Sequence, residues 1–443
     1  MLRADLAIRG GEILTMAERG SLASGTVLVR GQRILAIGPE DELGPYEAGK
    51  TLDARDRVIL PGFSNCHTHI GSNVLLRGLN EDAQLFEWLA SMWRLKRNFD
   101  EETLRLASLA GLAEMALAGI TSFNEHFDAY SVTPEVKALR TVPLRATLGY
   151  GFADEGLYAD LMDWSYAALE NFGDIVAEHH GSQDGRLRVA LSPHATYSCT
   201  ERLWRECAKV AEDQDLSIHT HLSEGDQEHS FVEKNFGCTP TAWLHSLGLL
   251  SPRLTAAHCT TLTEADIALL AQNDVKVAHC PISNAKLCSG IMPIRELREA
   301  GVTVGLATDG PASHNTLDMF QEMKFGAITH KNRHLDPELL TVREMLTMAT
   351  RDAAAAMHLP EAGTLEEGKL ADIIVVDLNK THCAPRYDSE ASLVYSSRAD
   401  DVVHSVVDGQ VLVEDGRLHN LDLFSLLGEL RERAAALRVR SGV

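Results

Sequence analysis

The stretch Val58-Ile59-Leu60-Pro61-Gly62-Phe63-Ser64-Asn65-Cys66-His67-Thr68-His69 opens as a short apolar run, breaks at Pro-Gly and closes on two histidines two residues apart. In extended backbone the side chains at i and i+2 point the same way, so His67 and His69 can offer both imidazoles to one point in space. That is half of a metal site. A His-x-His pair is more often two partly exposed histidines, so the rest of the chain has to supply further donors in similar strand-end settings.

Outward from that stretch, apolar runs of strand length recur at 120–123, 144–148, 187–191, 216–218, 254–257, 275–278 and 302–306. Helical or loop segments separate them. One such helix opens on Asp100-Glu101-Glu102, acids at its positive end, repeats Leu104, Ala107, Leu109, Leu112 and Met115, and stops at Gly119. Segments 263–272 and 294–300 read the same way. With 58–60 counted as the first, there are eight strand candidates, the mark of an α/β protein built as a (β/α)8 TIM barrel; an open doubly wound sheet shares the alternation.

The two chain ends have a different texture. Runs 6–14 and 25–38, with a hairpin turn at Arg30-Gly31-Gln32, are matched late in the chain by 371–377 and 402–413. The expected organisation is a small composite β-sandwich domain formed by residues 1–57 and 361–420, the barrel at 58–360, and a C-terminal helix at 421–443.

A net charge of -22 argues against nucleic acid or an anionic membrane as partner. Eight cysteines without a CxxC pair read as reduced thiols, and no run is apolar enough for a signal peptide core or a bilayer span, so a cytoplasmic protein acting on a small molecule is expected. A homo-oligomer, dimer or higher, is the commonest outcome for such a chain.

Barrel active sites collect at the C-terminal ends of the strands. Here the first strand leads to His67 and His69, the fourth to Ser192-Pro193-His194, and the fifth to His219-Thr220-His221-Leu222-Ser223-Glu224. The sixth ends in His258-Cys259, the seventh in His279-Cys280-Pro281 and the eighth in Thr308-Asp309-Gly310. His67, His69, His221 and Asp309 would place three imidazoles and one carboxylate around a divalent ion with a position left for water. His219 and His221 face the same side of their strand; His221 is preferred because Glu224 follows it by three residues.

Asp309 and His258 are placed to take a proton from water, and Glu224 to give one to a leaving group or ring nitrogen. A two-metal barrel hydrolase generally carries a bridging lysine at the end of the fourth strand, where this chain has His194, so one ion is expected. The donor set suits zinc first, with iron and manganese compatible. His126 is weighed evenly between facing the substrate and a structural hydrogen bond. Ser313, in the polar loop after Asp309, is a candidate substrate contact as well as a good turn former. His279, Cys259, Cys280 and Cys288 read as structural.

The ordered set Pro61-Gly62-Phe63 to His69, Leu75-Leu76-Arg77-Gly78 with Glu87-Trp88-Leu89, Ser192-Pro193-His194, His221-Leu222-Ser223-Glu224, Ala257-His258-Cys259, His279-Cys280-Pro281 with Ser283-Asn284-Ala285-Lys286-Leu287, Thr308-Asp309-Gly310 with Ala312-Ser313, and the tail Gly363 to Lys369 spans most of the chain. It resembles the amidohydrolase superfamily, within it the group of 5'-methylthioadenosine/S-adenosylhomocysteine deaminases and chlorotriazine hydrolases. The resemblance implies that His67, His69, His221 and Asp309 bind the metal, that Glu224 and His258 handle protons, that Asp309 accepts the water proton, and that Trp88 and His194 line the substrate pocket. It further implies that Glu224 protonates a ring nitrogen while metal hydroxide attacks the amino-bearing carbon, and ammonia leaves.

His194 favours the deaminase branch. Where S-adenosylhomocysteine deaminases place an arginine after the third strand, this chain reads Leu148-Gly149-Tyr150-Gly151-Phe152, and 153–163 holds no arginine either. A carboxylate tail would lose its bidentate partner, and Tyr150 is taken as the substrate contact at that place. The expected activity is hydrolytic deamination of an amino-substituted N-heterocycle: an adenosine-type nucleoside, a purine or a pterin. The alternative is an s-triazine chlorohydrolase or aminohydrolase, or opening of a cyclic amide or urea.

Overall fold

The computed structural model describes residues 1–127 and 131–442. Two sheets organise it. The first is made from both chain ends: β1 (Leu2–Leu14), β2 (Ser21–Arg30), β3 (Arg33–Gly38), β4 (Tyr46–Asp53) and β5 (Val58–Pro61) come from the start. The barrel follows as β6 (Phe63–Thr68), β7 (Ile120–Phe127), β8 (Arg145–Phe152), β9 (Leu187–Pro193), β10 (Ile218–Leu222), β11 (Leu254–His258), β12 (Lys276–His279) and β13 (Val304–Leu306). The first sheet is then completed by β14 (Ile373–Val376), β15 (Val402–Val407), β16 (Gln410–Glu414) and β17 (Arg417–Leu418).

The terminal sheet runs β17-β16-β15-β14-β5-β1-β2-β3, with β4 also on β1. β1 is bulged around Gly10 and Gly11, and its two halves pair in parallel with β4 and β5 respectively. Its apolar interior is shared by both ends of the chain: Leu6, Ile8, Val27, Val29 and Ile59 meet Ile373, Val375 and Val406. One expectation is corrected here. Val58-Ile59-Leu60 pairs with β1 and antiparallel with β14, so it belongs to the terminal sheet. The Pro61-Gly62 break passes the chain between the two sheets, and the first barrel strand is Phe63–Thr68.

The barrel strands are all parallel, in chain order from β6 to β13. Side chains and loop backbone carry the join between the last strand and the first. Asn65 Nδ2 donates to Thr308 Oγ1 at 2.7 Å, Thr308 N–H donates to Asn65 Oδ1 at 3.0 Å, and Asp309 N–H donates to the His67 carbonyl at 3.1 Å. The same bonds bring the first and eighth strand ends, and hence His67 and Asp309, together.

The two sheets are tied by a buried ion cluster. Arg145, at the start of β8, donates to Asp372 Oδ2 at 2.8 Å and to Asp408 Oδ1 at 2.8 Å, and Arg186 reaches Asp408 at 3.1 Å. The helix expected after Asp100 spans Glu101–Leu117, with the Asp100 side chain accepting the Thr103 N–H. The C-terminal helix is Leu423–Ser441; Val443, included in the expected helix, lies outside the described residues.

Candidate active site

His67 and His69 sit at the end of β6, His219 and His221 in β10, His258 at the end of β11, and Asp309 in the loop after β13. The strand ends turn sharply there: Ser223, His258 and Asp309 all hold positive φ, at 49°, 74° and 56°. Left-handed backbone costs a non-glycine residue of order 1–3 kcal/mol, and its recurrence at three strand ends marks where the fold sacrifices local comfort for side-chain direction.

The histidines are oriented from behind. His69 Nδ1–H donates to the His126 carbonyl at 2.7 Å and His221 Nδ1–H to the His194 carbonyl at 2.8 Å. A carbonyl only accepts, so both imidazoles carry their proton on Nδ1 and expose an Nε2 lone pair. Those two Nε2 atoms are 3.2 Å apart. Asp309 Oδ1 is 3.4 Å from His69 Nε2 and 3.4 Å from His67 Nε2, and the latter has no hydrogen-bond partner among the described residues. Lone pairs facing one another in a dry site repel unless a cation lies between them. Ligand bonds of about 2.0–2.2 Å in a tetrahedral shell put donors roughly 3.4 Å apart, so the set fits a divalent ion.

Burial first, and the neighbouring histidines with it, pushes His221 well below its ordinary value; burial outweighs the pull of Asp309 and brings His67 down to about 3. These imidazoles stay neutral, as ligation requires. Burial acts to raise Asp309, and the pull of His67 first, with His69 and His258 behind it, overcomes that and holds its carboxyl well below the usual range. Oδ2 of Asp309 accepts from Ser283 Oγ at 2.6 Å and Ser313 Oγ at 2.9 Å, and Oδ1 from Gly310 N–H at 2.6 Å.

His219 turns the other way. Its Nε2 lies 2.9 Å from His67 Nδ1, so it orients His67, and of the two β10 candidates it is His221 that reaches the cluster. His258 Nδ1 lies 2.8 Å from Asn284 Oδ1, which directs His258 Nε2 toward Glu224 Oε1 at 3.8 Å. Donor atoms of His67, His221 and His258 also lie within 4.8 Å of one another. Burial, with Asp309 adding to it, raises Glu224 above the usual carboxyl range against the pull of His258. Its backbone N–H is held by Glu228 Oε2 at 2.8 Å, while Glu228 Oε1 accepts from Thr196.

A narrow cavity opens over this cluster, with room of about 30 Å³ in this structure. Its walls include the predicted Trp88, His194, Glu224, His258 and Asp309, with Leu85, Leu89, Tyr197 and Leu287 as an apolar roof. Three sequence-predicted substrate contacts are placed elsewhere. Tyr150 is buried with its ring 5.4 Å from Phe172, away from the cavity walls, because residue 150 of β8 faces outward into the surrounding helices. Ser313 is spent on Asp309. His126 is fully buried, its donor atoms grouped with those of His69 and His221 instead of lining the cavity.

Reading the sequence missed Asn73 and Lys96, both buried in the cavity wall, along with the orienting Ser283, Asn284 and Glu228. Asn284 and Ser283 stood in a quoted motif, but nothing local to them tells which residue they face.

A sequence profile described as "Amidohydrolase family" matches residues 58–412. The chain belongs to the amidohydrolase family. Among the relatives of this amidohydrolase, a 5'-deoxyadenosine deaminase of Methanothermobacter thermautotrophicus is 37% identical over 433 residues, covering 98% of each chain. A 5-methylthioadenosine/S-adenosylhomocysteine deaminase of Pelotomaculum thermopropionicum is 34% identical over 437 residues, covering 98% of this chain and 99% of that one. Among solved structures, an adenosine deaminase from Xanthomonas campestris with bound zinc superimposes with a TM-score of 0.92 at 30% identity, covering 99% of both chains. An atrazine chlorohydrolase from Arthrobacter aurescens complexed with zinc gives 0.88 at 26% identity, covering 97% of this chain and 100% of that one.

Proposed function

We propose that this amidohydrolase is a mononuclear, zinc-type deaminase that hydrolyses the amino group from an N-heterocycle of the adenosine class, releasing ammonia. The carrying observation is the convergence of unprotonated His69 Nε2 and His221 Nε2 with Asp309 Oδ1 beside the Glu224–His258 pair. His67, His69, His221 and Asp309 would hold the ion, which when bound supplies a Lewis acid and lowers the pKa of water.

The chain's own residues do the rest. Asp309 takes a proton from the attacking water. Glu224, kept protonated by burial, donates to the ring nitrogen next to the amino-bearing carbon and makes that carbon electrophilic. His258, fixed by Asn284, holds the developing oxygen and shuttles a proton with Glu224. Trp88 and His194 confine the ring, and the leucine roof excludes bulk water.

The deaminase names carried by relatives along the whole chain support this reading over dechlorination, the activity of the triazine neighbour. The absence of arginine from 148–163 favours a substrate without a charged tail. All eight cysteines are free thiols, which agrees with a cytoplasmic enzyme, and a homo-oligomer is the assembly we expect. Ammonia release is the test, measured on adenosine, 5'-deoxyadenosine, 5'-methylthioadenosine, S-adenosylhomocysteine, guanine, pterins and aminotriazines, with a chlorotriazine in parallel and Asp309→Asn as blank. Ammonia from one of these, lost in the blank, upholds the proposal; chloride or alkylamine release in its place overturns it.

A further inference from the structure

Asn73 ends the single helical turn Ile70–Asn73 that follows His69 directly. It lines the same cavity as His69, Glu224, His258 and Asp309 and is 2% exposed. Its carboxamide Oδ1 is buried with no hydrogen-bond partner among the described residues. The turn is pinned, because Glu125 accepts the backbone N–H groups of Ile70 and Gly71 at 2.9 and 3.1 Å. The amide presses against the Asp309 loop: a Cβ on Gly310 would fall 2.1 Å from Asn73 Nδ2. Glycine at 310 therefore gives the amide its room beside Asp309.

An acceptor buried in a catalytic cavity without a donor is a debt that a bound molecule has to settle. The amide packs on Gly310, next in the chain to Asp309, which puts it on the side of the cavity where the reacting carbon and its substituent would lie. We propose that Asn73 Oδ1 accepts an N–H from the substrate's exocyclic amino group and thereby selects amino over halide or ether leaving groups. This rests on the deaminase reading above. In the reaction water adds its oxygen to the ring carbon, the C–N bond breaks with its electron pair going to nitrogen, and nitrogen gains one proton originating from the water. Ring oxo product and ammonia account for every atom. The leaving nitrogen carries two N–H bonds at the start and three at the end, so Oδ1 keeps a partner throughout. Chloride or methoxy at the same carbon offers only lone pairs to Oδ1.

The test pairs adenosine with 6-chloropurine riboside, which yield the same hydrolysis product, in wild type, Asn73→Leu and Asn73→Ala, with bound zinc measured in each. The chloro compound is read as substrate or, where it is not turned over, as competitive inhibitor. Loss of one buried hydrogen bond predicts a roughly tenfold fall in kcat/KM for the amino compound, with the chloro compound unchanged or favoured and zinc content intact. An equal loss on both compounds, or none on either, overturns the assignment while leaving the deaminase reading in place. A wild type that turns over no amino compound of the wider panel overturns both.

Discussion

Replacing Ser283 and Ser313 by alanine should weaken the proposed metal site without touching any of the four proposed ligands. Oδ2 of Asp309 is held by two hydroxyls, at 2.6 and 2.9 Å, which leaves Oδ1 aimed at the His67 and His69 nitrogens. Hydrogen bonds to a charged acceptor contribute about 1.5–3 kcal/mol each, and losing such a partner typically lowers metal affinity about 10- to 100-fold. Each single variant should therefore weaken zinc roughly tenfold. The double variant should lose more than the product of the singles, because it strips both hydroxyls from an oxygen that water hardly reaches. The assay is zinc competition against a chelating chromophore, with KM measured at saturating zinc and circular dichroism to confirm the fold. Unchanged zinc affinity in the double variant would refute the reasoning. A raised KM with unchanged affinity in Ser313→Ala would return Ser313 to the substrate.

Three further outcomes follow from the same geometry. Glu224→Gln should cut kcat by about 10²–10⁴; because burial raises the Glu224 carboxyl and its protonated form is the active one, wild-type activity should fall as pH rises through that raised value, and the variant's residual activity should lack this limb. Arg145→Met should destabilise the fold by about 3–5 kcal/mol in chemical denaturation by leaving Asp372 buried without a cation and Asp408 with Arg186 alone, and adding Asp372→Asn should recover much of it. Burial lifts Glu228 from 4.5 to about 7, so the folded state binds its proton more tightly than the unfolded chain. That carboxyl is harmless below about pH 4.5 and increasingly destabilising as pH rises through about 7, and Glu228→Gln should flatten the stability curve across this window.

The periodicities that depend on neighbours in sequence were readable before any coordinates. Eight β/α alternations, the two β-rich ends and the histidines and Asp309 at the strand ends all rest on spacing of two, three or four residues. Position 58–60 misled because an apolar run before Pro-Gly has no label for which sheet it joins; its partners, β1 and β14, lie far away in the chain. Tyr150 failed for a related reason. It stands at the right strand end, but alternation within β8 turned it toward Phe172.

Asn73, Ser283, Asn284 and Glu228 are ordinary helix residues by composition. Their importance arises from approaches across the fold, such as Ser283 to Asp309 and Asn73 to Gly310. The choice between His219 and His221 is instructive in another way: both face inward, and the hydrogen bond of His219 to His67, against that of His221 to the His194 carbonyl, separates the supporting ring from the one that reaches the cluster.

The most direct test of the account is to strip the protein of metal and titrate zinc back while following ammonia release from the best substrate of the panel. The account predicts no ammonia from the metal-free protein and a rise that stops at one ion per chain. Undiminished ammonia release in the metal-free protein, or a rise that stops only at two ions, would contradict it.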